Sequence, residues 1–201
     1  MFERREVMRR KQCEIKDIKQ IEALLGRATI GRLATSGADG YPYITPVNYV
    51  WWNGSVYFHC AHEGEKIDNI RRDNRVCFEV DIPLSYLGLE YDPTRPTCHV
   101  HQLYHCVIIR GRAEIVQEID EKVESLNALM ATHENNDDFT RVDAGTKGVG
   151  LCSVVAVKVE SISGKSDLAQ KMASKEKAKV AEYLKKRNLP GDAEAAEFLG
   201  G

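Results

Sequence analysis

The chain has 201 residues, enough for one domain or one domain with an appendage, and its 28 Lys or Arg and 30 Asp or Glu give a net charge of −2. Proteins that bind nucleic acid through phosphate contacts normally carry a basic surplus, so this balance argues against a nucleic-acid partner. No apolar run approaches a membrane span, and the charged N-terminus lacks a signal-peptide core, which predicts a cytoplasmic protein with no membrane partner.

The first third of the chain predicts a charged arm, a helix and three strands joined by hairpins. Residues 1–12 are highly charged and predict an extended or poorly ordered arm, and the apolar spacing over 14–26 predicts an amphipathic helix. The turn at 36–40 and the pair Asn53-Gly54 tolerate positive φ, which favours two hairpins. The expected strands cover 28–35, 41–52 and 55–61.

The remaining residues alternate between strand and helix patterns. Proline-containing residues 82–100 predict a long irregular loop, and 134–150 a polar segment. Strands are expected at 75–81, 102–116 and 151–163, and helices at 64–72, 119–133 and 166–187. Six strands joined largely by hairpins predict a mainly β (α+β) fold, a six-stranded antiparallel split β-barrel with flanking helices. The expected division is an arm over 1–12, a barrel domain over 13–164 and a helical appendage over 165–201.

A candidate anion site lies where the third predicted strand runs into the next helix. Gly64 opens this helix, Lys66 lies in its first turn, and His59 precedes both on a polar and aromatic strand face. Free N–H groups and the positive end of the helix dipole favour a phosphate at such a position. The plainer alternative is a solvated surface lysine, which is common near helix starts.

The histidines and cysteines suggest metal binding or thiol chemistry. Their spacing matches no zinc pattern, so they can equally be polar residues near a loop or interface, and we predict no metal site. Cys60 and His59 are adjacent strand residues and face opposite sides, which disfavours a Cys–His hydrolase. The six cysteines contain no CxxC pair, so free thiols are expected. The residues in question are His62, His99, His101, His105, Cys98 and Cys106.

Five blocks of sequence, in order and spacing, resemble one known family. This family is the FMN-binding split barrels related to pyridoxamine 5′-phosphate oxidase, and within it the 5-nitroimidazole-resistance (Nim) branch. The resemblance covers about residues 13–164. The blocks are GRLAT (31–35), DGYPYITPVNYVW (39–51), VYFHCAHEGEK (56–66), RVCFEVD (75–81) and LYHCVIIRGRAEIV (103–116).

The resemblance implies a homodimer with FMN in clefts at the subunit interface. It implies a catalytic role for His59, phosphate binding by Gly64 and Lys66, and a contribution from 104–106 of the other subunit. The sequence departs from the family pattern at two places. Glu65-Lys66 stands where the oxidase has Arg-Lys, which implies a less basic phosphate pocket. His105-Cys106 stands where many relatives have Arg-Ser, which argues against the same cross-subunit contact. The implied cofactor contacts are Arg32, Leu33, Ala34, Thr35, Pro46, Val47, Asn48, Tyr49, His59, Cys60, Ala61, Gly64, Lys66, Tyr104, His105 and Cys106.

We therefore expect an FMN-dependent oxidoreductase that reduces a small-molecule acceptor such as a nitroaromatic. The sequence has no Rossmann glycine fingerprint, so a nicotinamide donor would bind only transiently. An alternative is a protein that sequesters flavin, haem or another planar cofactor without turnover. Haem is included because His99, His101 and His105 are clustered in the sequence. A third possibility is a dimeric barrel without any cofactor.

Overall fold

A computed structural model describes residues 3–4, 8–94, 96–134 and 139–200. The chain divides into two compact units, a barrel unit (1–6, 18–80 and 107–163) and a helical unit (7–17, 81–106 and 164–201). The strands are β1 (Glu3–Arg4), β2 (Glu14–Ile15), β3 (Ile30–Ser36), β4 (Pro42–Asn48), β5 (Val50–Trp52), β6 (Ser55–Cys60), β7 (Arg75–Leu87), β8 (His101–Ile115) and β9 (Ser153–Asp167). The α-helices are α1 (Ile18–Arg27), α2 (Glu65–Arg72), α3 (Ile119–His133), α4 (Lys147–Gly150), α5 (Ser174–Arg187) and α6 (Asp192–Gly200).

The barrel unit is built on one sheet with the strand order β4-β3-β7-β8-β9-β6-β5. The β3–β4, β3–β7, β5–β6 and β6–β9 pairs are antiparallel, and only the short β1 adds to β9 in parallel among the described pairs. The two ends of this order, β4 and β5, are consecutive in the chain and are joined at Tyr49. The sheet therefore curls back on itself, which confirms the predicted split-barrel class.

Strand alternation separates an apolar interior from an outer face. Leu33 of β3 lies opposite Phe78 of β7, and both side chains are completely buried. Tyr49 packs edge-on against Phe78 with ring centroids 4.8 Å apart, and its hydroxyl donates to the Leu25 carbonyl at 2.6 Å. These contacts attach α1 to the point where the sheet closes.

Both predicted hairpin turns are confirmed. Asn53 and Gly54 have φ values of 47° and 69°, as a two-residue primed turn requires, and Trp52 pairs with Ser55 across it. Gly111 lies within the unbroken strand β8, where a Cβ atom would approach the Lys158 carbonyl oxygen to 2.0 Å. The close approach of β9 therefore requires this glycine, and it marks no break in the strand.

The helical unit has its own apolar cluster and a buried ion pair. Arg187 donates to Asp192 at 2.7 Å and 2.9 Å, and the Ser85 hydroxyl donates to the same carboxylate at 2.8 Å. Asn188, with φ 53°, ends α5 in the left-handed conformation before the chain turns into α6. The buried apolar residues of the cluster are Leu84, Leu87, Leu103, Val180, Ala181, Leu184, Ala195, Ala196 and Leu199.

Several predicted boundaries were wrong. The described residues contain nine strands instead of six, because the strand expected over 41–52 breaks at Tyr49 and two short strands add to β9. Residues 82–87 extend β7 into the expected loop, and α1 begins at Ile18 instead of at 14. The C-terminal helix begins at Ser174 instead of 166, because β9 continues to Asp167, and α6 was not predicted.

Parts of two predicted segments lie outside the described residues. The expected arm over 1–12 is described only at 3–4 and from 8 onward, and the polar segment over 134–150 is described except for 135–138. Within the segments that are described, no helix combines the length and the apolar character needed to cross a membrane.

Candidate functional site

The N-terminal end of α2 is an exposed backbone site. Gly64 precedes the helix with φ 117° and ψ 164°, and no side chain caps the helix at this end. The Ile67 and Asp68 N–H groups donate to the Gly64 carbonyl at 2.9 Å and 3.1 Å, which completes the first turn. A Cβ atom on Gly64 would meet nothing within 4 Å, so the space around this backbone is open. The geometry offers N–H groups and the positive end of a helix dipole to an anion.

Lys66 adds a charge to this end of α2 and lies near Cys60. Burial raises the pKa of the Cys60 thiol above its ordinary value. The nearby Lys66 ammonium group lowers this pKa, but by less. Cys60 is therefore a thiol near pH 7, and no Cys60 thiolate offsets the Lys66 charge.

His62 holds the segment between β6 and α2 in place. Its Nε2 atom lies 3.0 Å from the Gly150 carbonyl, which can only accept, so Nε2 carries the proton. Its Nδ1 atom lies 2.9 Å from the Ser153 hydroxyl and accepts from it when the ring is neutral. Arg71 also donates to the His62 carbonyl at 3.3 Å. The sequence suggested His62 for metal binding, for thiol chemistry or for a polar position near a loop, and it did not indicate this anchoring role.

Buried polar contacts fix α2 against β3. The Asn69 side chain is 2% exposed and donates to the Thr35 hydroxyl at 3.0 Å. Arg72 donates to the Asn69 side-chain oxygen at 2.9 Å and also to the Ser36 carbonyl. The N-terminal end of α2 is thus held on the barrel by its own buried face, including Ile67.

The outer face of the β3–β4 hairpin is exposed although several of its residues are apolar. The register places Arg32 opposite Pro46, Ala34 opposite Ile44, and Ile30 opposite Asn48. Directly opposed residues share a face, and Ile30 and Ile44 are 52% and 62% exposed. A cleft of about 460 Å³ adjoins this face; its lining includes Ala34, Pro42, Arg75, Cys77 and Arg110.

The structure divides the implied cofactor contacts of β3 and β4 between two faces. Arg32, Ala34, Pro46 and Asn48 lie on the outer face. The side chains of four others point inward and are buried: Leu33, Thr35, Val47 and Tyr49. Side chains of a strand point alternately to its two faces, so the sequence alone could have separated the outward residues from the inward ones.

His59 and Cys60 leave β6 on opposite faces. His59 pairs with Val154, is exposed, and lies with Tyr57 beside Leu129 of α3. Cys60 pairs with Ser153 and faces the His62 and Lys66 side of the barrel. Ala61 follows in the exposed segment that leads to Gly64, so the end of β6 offers an exposed histidine and an open backbone.

The other implied contacts belong to the helical unit. His105 is buried, with Nδ1 at 2.7 Å from the Ser166 hydroxyl and Nε2 at 3.8 Å from the Glu194 carboxylate. Tyr104 accepts from Lys165 through its hydroxyl, and Cys106 is half-buried.

The histidines that suggested metal or haem have different environments. His99 lies exposed in a short 3₁₀ turn, His101 contacts Asp167 through Nε2 at 3.1 Å, and His105 is engaged at both ring nitrogens. Within the described ranges, no three His, Cys, Asp or Glu side chains are arranged to hold a metal ion.

The fold is that of a split-barrel protein in which an uncapped helix, α2, begins directly after strand β6. The sequence profile of one protein family, described as pyridoxamine 5′-phosphate oxidase, matches residues 17–166. The chain therefore belongs to the pyridoxamine 5′-phosphate oxidase family, and the predicted relationship is confirmed. No curated protein matches the chain.

Solved structures with the same fold include proteins of different kinds. A protein from Bacteroides thetaiotaomicron described as a 5-nitroimidazole antibiotic resistance protein is 25% identical, with a TM-score of 0.63 over 76% of this chain and 86% of its own. The flavocytochrome Anf3 from Azotobacter vinelandii is 18% identical, with a TM-score of 0.67 over 80% and 72%. An FAD and haem binding protein from Mycobacterium smegmatis is 14% identical, with a TM-score of 0.65 over 94% and 80%.

Proposed function

We propose that this protein is an FMN-dependent oxidoreductase that reduces a small acceptor, with nitroaromatic compounds as the first class to test. The observation that carries the proposal is the uncapped N-terminal end of α2, where Gly64 leaves the backbone open and Lys66 supplies a cation. One helix end and one lysine suit the single terminal phosphate of FMN. Membership of the family supports a flavin in this position.

The chain's residues can hold such a group without rearrangement of the barrel. The Glu65 and Lys66 N–H groups at the helix start can donate to the phosphate, and the Lys66 ammonium group can neutralise part of its charge. The outer face of the β3–β4 hairpin, with Ala34 and Pro46, offers an apolar surface for a planar ring. A bound flavin supplies hydride and electron transfer; the protein binds and orients it and excludes water.

We further propose that the protein works as a homodimer that uses the outer face of the β3–β4 hairpin. This face exposes Ile30 and Ile44 on the same side of the hairpin as Pro46, and contiguous exposed apolar surface often marks an interface. Ile44→Lys should shift the protein towards monomer in light scattering and lower flavin occupancy. Ile119→Lys, at an exposed position at the start of α3, is the matched control and should leave both unchanged. If Ile44→Lys remains a dimer in light scattering, the outer face of the β3–β4 hairpin is not the interface.

His59 is the proposed proton donor or substrate-orienting group. Its ring is exposed and has no hydrogen-bond partner within the described part of the chain, whereas both ring nitrogens of His62 are engaged. An imidazole ring that is open to a substrate can donate a proton to the acceptor as it is reduced. His59→Ala should therefore lower kcat while flavin stays bound, whereas His62→Ala should weaken flavin binding. Full turnover by His59→Ala would remove this role.

The decisive experiment is the absorption spectrum of the purified protein. A yellow protein that NADH bleaches, and that a 5-nitroimidazole then reoxidises, supports the proposed enzyme. Acid release followed by mass spectrometry distinguishes FMN from FAD. A yellow protein inert to every donor indicates storage or transport of flavin, a Soret band indicates haem, and a colourless protein that flavin does not stabilise thermally would refute cofactor binding.

Lys66→Gln tests the anchor itself. Loss of one charge-assisted contact to a phosphate should weaken FMN binding by roughly tenfold to a hundredfold. Riboflavin lacks the phosphate, so its affinity should change little. Lys19→Gln, at an exposed position on α1, is the matched control. If Lys66→Gln and Lys19→Gln bind FMN equally well, the phosphate is bound elsewhere.

A further inference from the structure

We propose that the helical unit carries a separate binding site for the phosphate group of a small phosphate monoester. The site is the cleft between the 3₁₀ turn Thr97–His99, the start of β8 and the segment that follows β9. The residues that line it all belong to the helical unit, and none of them is among the implied flavin contacts.

The cleft has the size and lining of a small-ligand site. Its volume is about 360 Å³, at the lower end of the range for ligand pockets. Basic or imidazole side chains at Arg10, His99, His101 and Lys171 line it, and apolar residues such as Met172 contribute a second kind of surface. A ligand with an anionic group and an organic part matches both.

One buried carboxylate organises the basic groups. Asp167, whose side chain is 6% exposed, lies 2.9 Å from Arg10 Nη1, 3.1 Å from His101 Nε2 and 3.5 Å from Lys165 Nζ. Both carboxylate oxygens are therefore engaged by groups of the protein, and they hold Arg10 and His101 in fixed positions. Because Arg10 is held in this way, its outer donors would bind an anion at a lower entropic cost than the donors of a free side chain.

The charge balance of the cleft remains positive. Among the residues that line the cleft, Arg10 and Lys171 are basic and Asp167 is the carboxylate. Lys165 does not line the cleft but lies 3.5 Å from Asp167 and adds a further positive charge beside it. An excess of fixed positive charge repels metal ions and attracts a dianion.

Two of the basic side chains are free to bind a ligand. Lys171 and His99 are exposed, and neither has a hydrogen-bond or ion-pair partner among the described residues. Together with the outer donors of Arg10, they can approach one phosphate from several sides. The phosphate would thus bind to groups that the fold does not need for its own stability.

The test uses isothermal titration calorimetry on the full chain with two probes, inorganic phosphate and AMP. At about pH 8 both are dianions, so charge is matched and only the organic part differs. AMP should bind more tightly, because its base can cover the apolar residues of the cleft. Lys171→Gln should weaken AMP binding by about two- to fivefold, as expected for one exposed charge. Lys171→Gln with His99→Gln should weaken it further.

Two control variants make each outcome decisive. Lys175→Gln removes an exposed lysine of α5 that does not line the cleft, and it should bind AMP like the wild type. Lys66→Gln removes the proposed flavin anchor and should also retain AMP binding. The proposal fails if AMP does not bind, if phosphate and AMP bind equally, or if Lys171→Gln and Lys175→Gln have equal effects. Loss of binding only in Lys66→Gln would assign the ligand to the flavin site instead.

Discussion

Gly64→Ala should destabilise the protein although the new methyl group touches nothing. Gly64 has φ 117° and ψ 164°, a conformation that is essentially restricted to glycine, and a Cβ there would have no neighbour within 4 Å. The whole cost is therefore backbone strain, about 1–3 kcal/mol. The chain can relieve this strain only by rotating the peptides that open α2, which would turn their N–H groups away from a bound phosphate.

A second glycine provides a control of opposite sign. Gly26 lies near the end of α1, is exposed, has no positive φ, and a Cβ there would also meet nothing within 4 Å. Gly26→Ala removes backbone freedom from the unfolded chain and should stabilise the protein by up to about 1 kcal/mol. The two variants add the same methyl group into equally open space, so any difference between them reports backbone conformation.

Urea unfolding of both variants, with and without FMN, measures the two effects separately. Without FMN the midpoint of Gly64→Ala should fall and that of Gly26→Ala should rise, with unchanged m-values. With FMN the deficit of Gly64→Ala should grow, since a weaker ligand stabilises less. If Gly64→Ala is as stable as Gly26→Ala, the positive φ is not required. If FMN stabilises the two variants equally, the helix end does not bind the phosphate.

Two further predictions concern stability. Arg187 donates hydrogen bonds to the buried Asp192 and lowers the pKa of its carboxyl from 3.8 to about 2. The pair should therefore add about 2 kcal/mol to the free energy of unfolding. This contribution is fully present above about pH 4 and is lost as the pH falls through about 2. In urea unfolding at several pH values, Asp192→Asn should therefore differ most from wild type at neutral pH; a constant difference would contradict this. Tyr49→Phe should cost about 1–3 kcal/mol, because it leaves the buried Leu25 carbonyl without its donor. It should leave the Kd for FMN unchanged, and a large loss of FMN affinity would instead place Tyr49 at the cofactor.

Local signals were sufficient for the elements whose structure depends on neighbouring residues. The pair Asn53-Gly54 predicted a tight hairpin because both residues adopt positive φ at low cost, and both do so. The apolar period over 119–133 predicted α3 with its observed ends. The predicted end of the last expected helix at 187 was also correct, since α5 ends at Arg187.

Long-range contacts determined the elements that were missed. Nothing local breaks the strand pattern around Tyr49; the break depends on its contacts with Leu25 and Phe78. Pro83 suggested that β7 should end early, but the pairing of β7 with β3 stops at Glu79. At Pro83 the missing N–H therefore costs no hydrogen bond to β3, and the strand continues.

The implied cofactor contacts were taken from whole blocks of sequence, because a family resemblance is read from such blocks and not from single side chains. A block such as 31–35 contains both outward and inward side chains, and a ligand outside the barrel can contact only the outward set. Burial then divides the block, with Arg32 exposed and Leu33 fully buried. The proposed anchor at Gly64 and Lys66 depends less on strand alternation, since a helix end presents its backbone N–H groups whatever the side chains do.

The exposed apolar residues of β3 and β4 connect the fold to the proposed chemistry. A barrel strand needs apolar side chains on its inner face alone, yet Ile30, Ala34 and Ile44 occupy the outer one. Such a face is unfavourable in water unless another surface covers it. A flavin ring between two subunits would cover it, and the same contact would exclude water from the reacting atoms. The hydrophobic cost of leaving this hairpin exposed would then be the driving force that assembles the site.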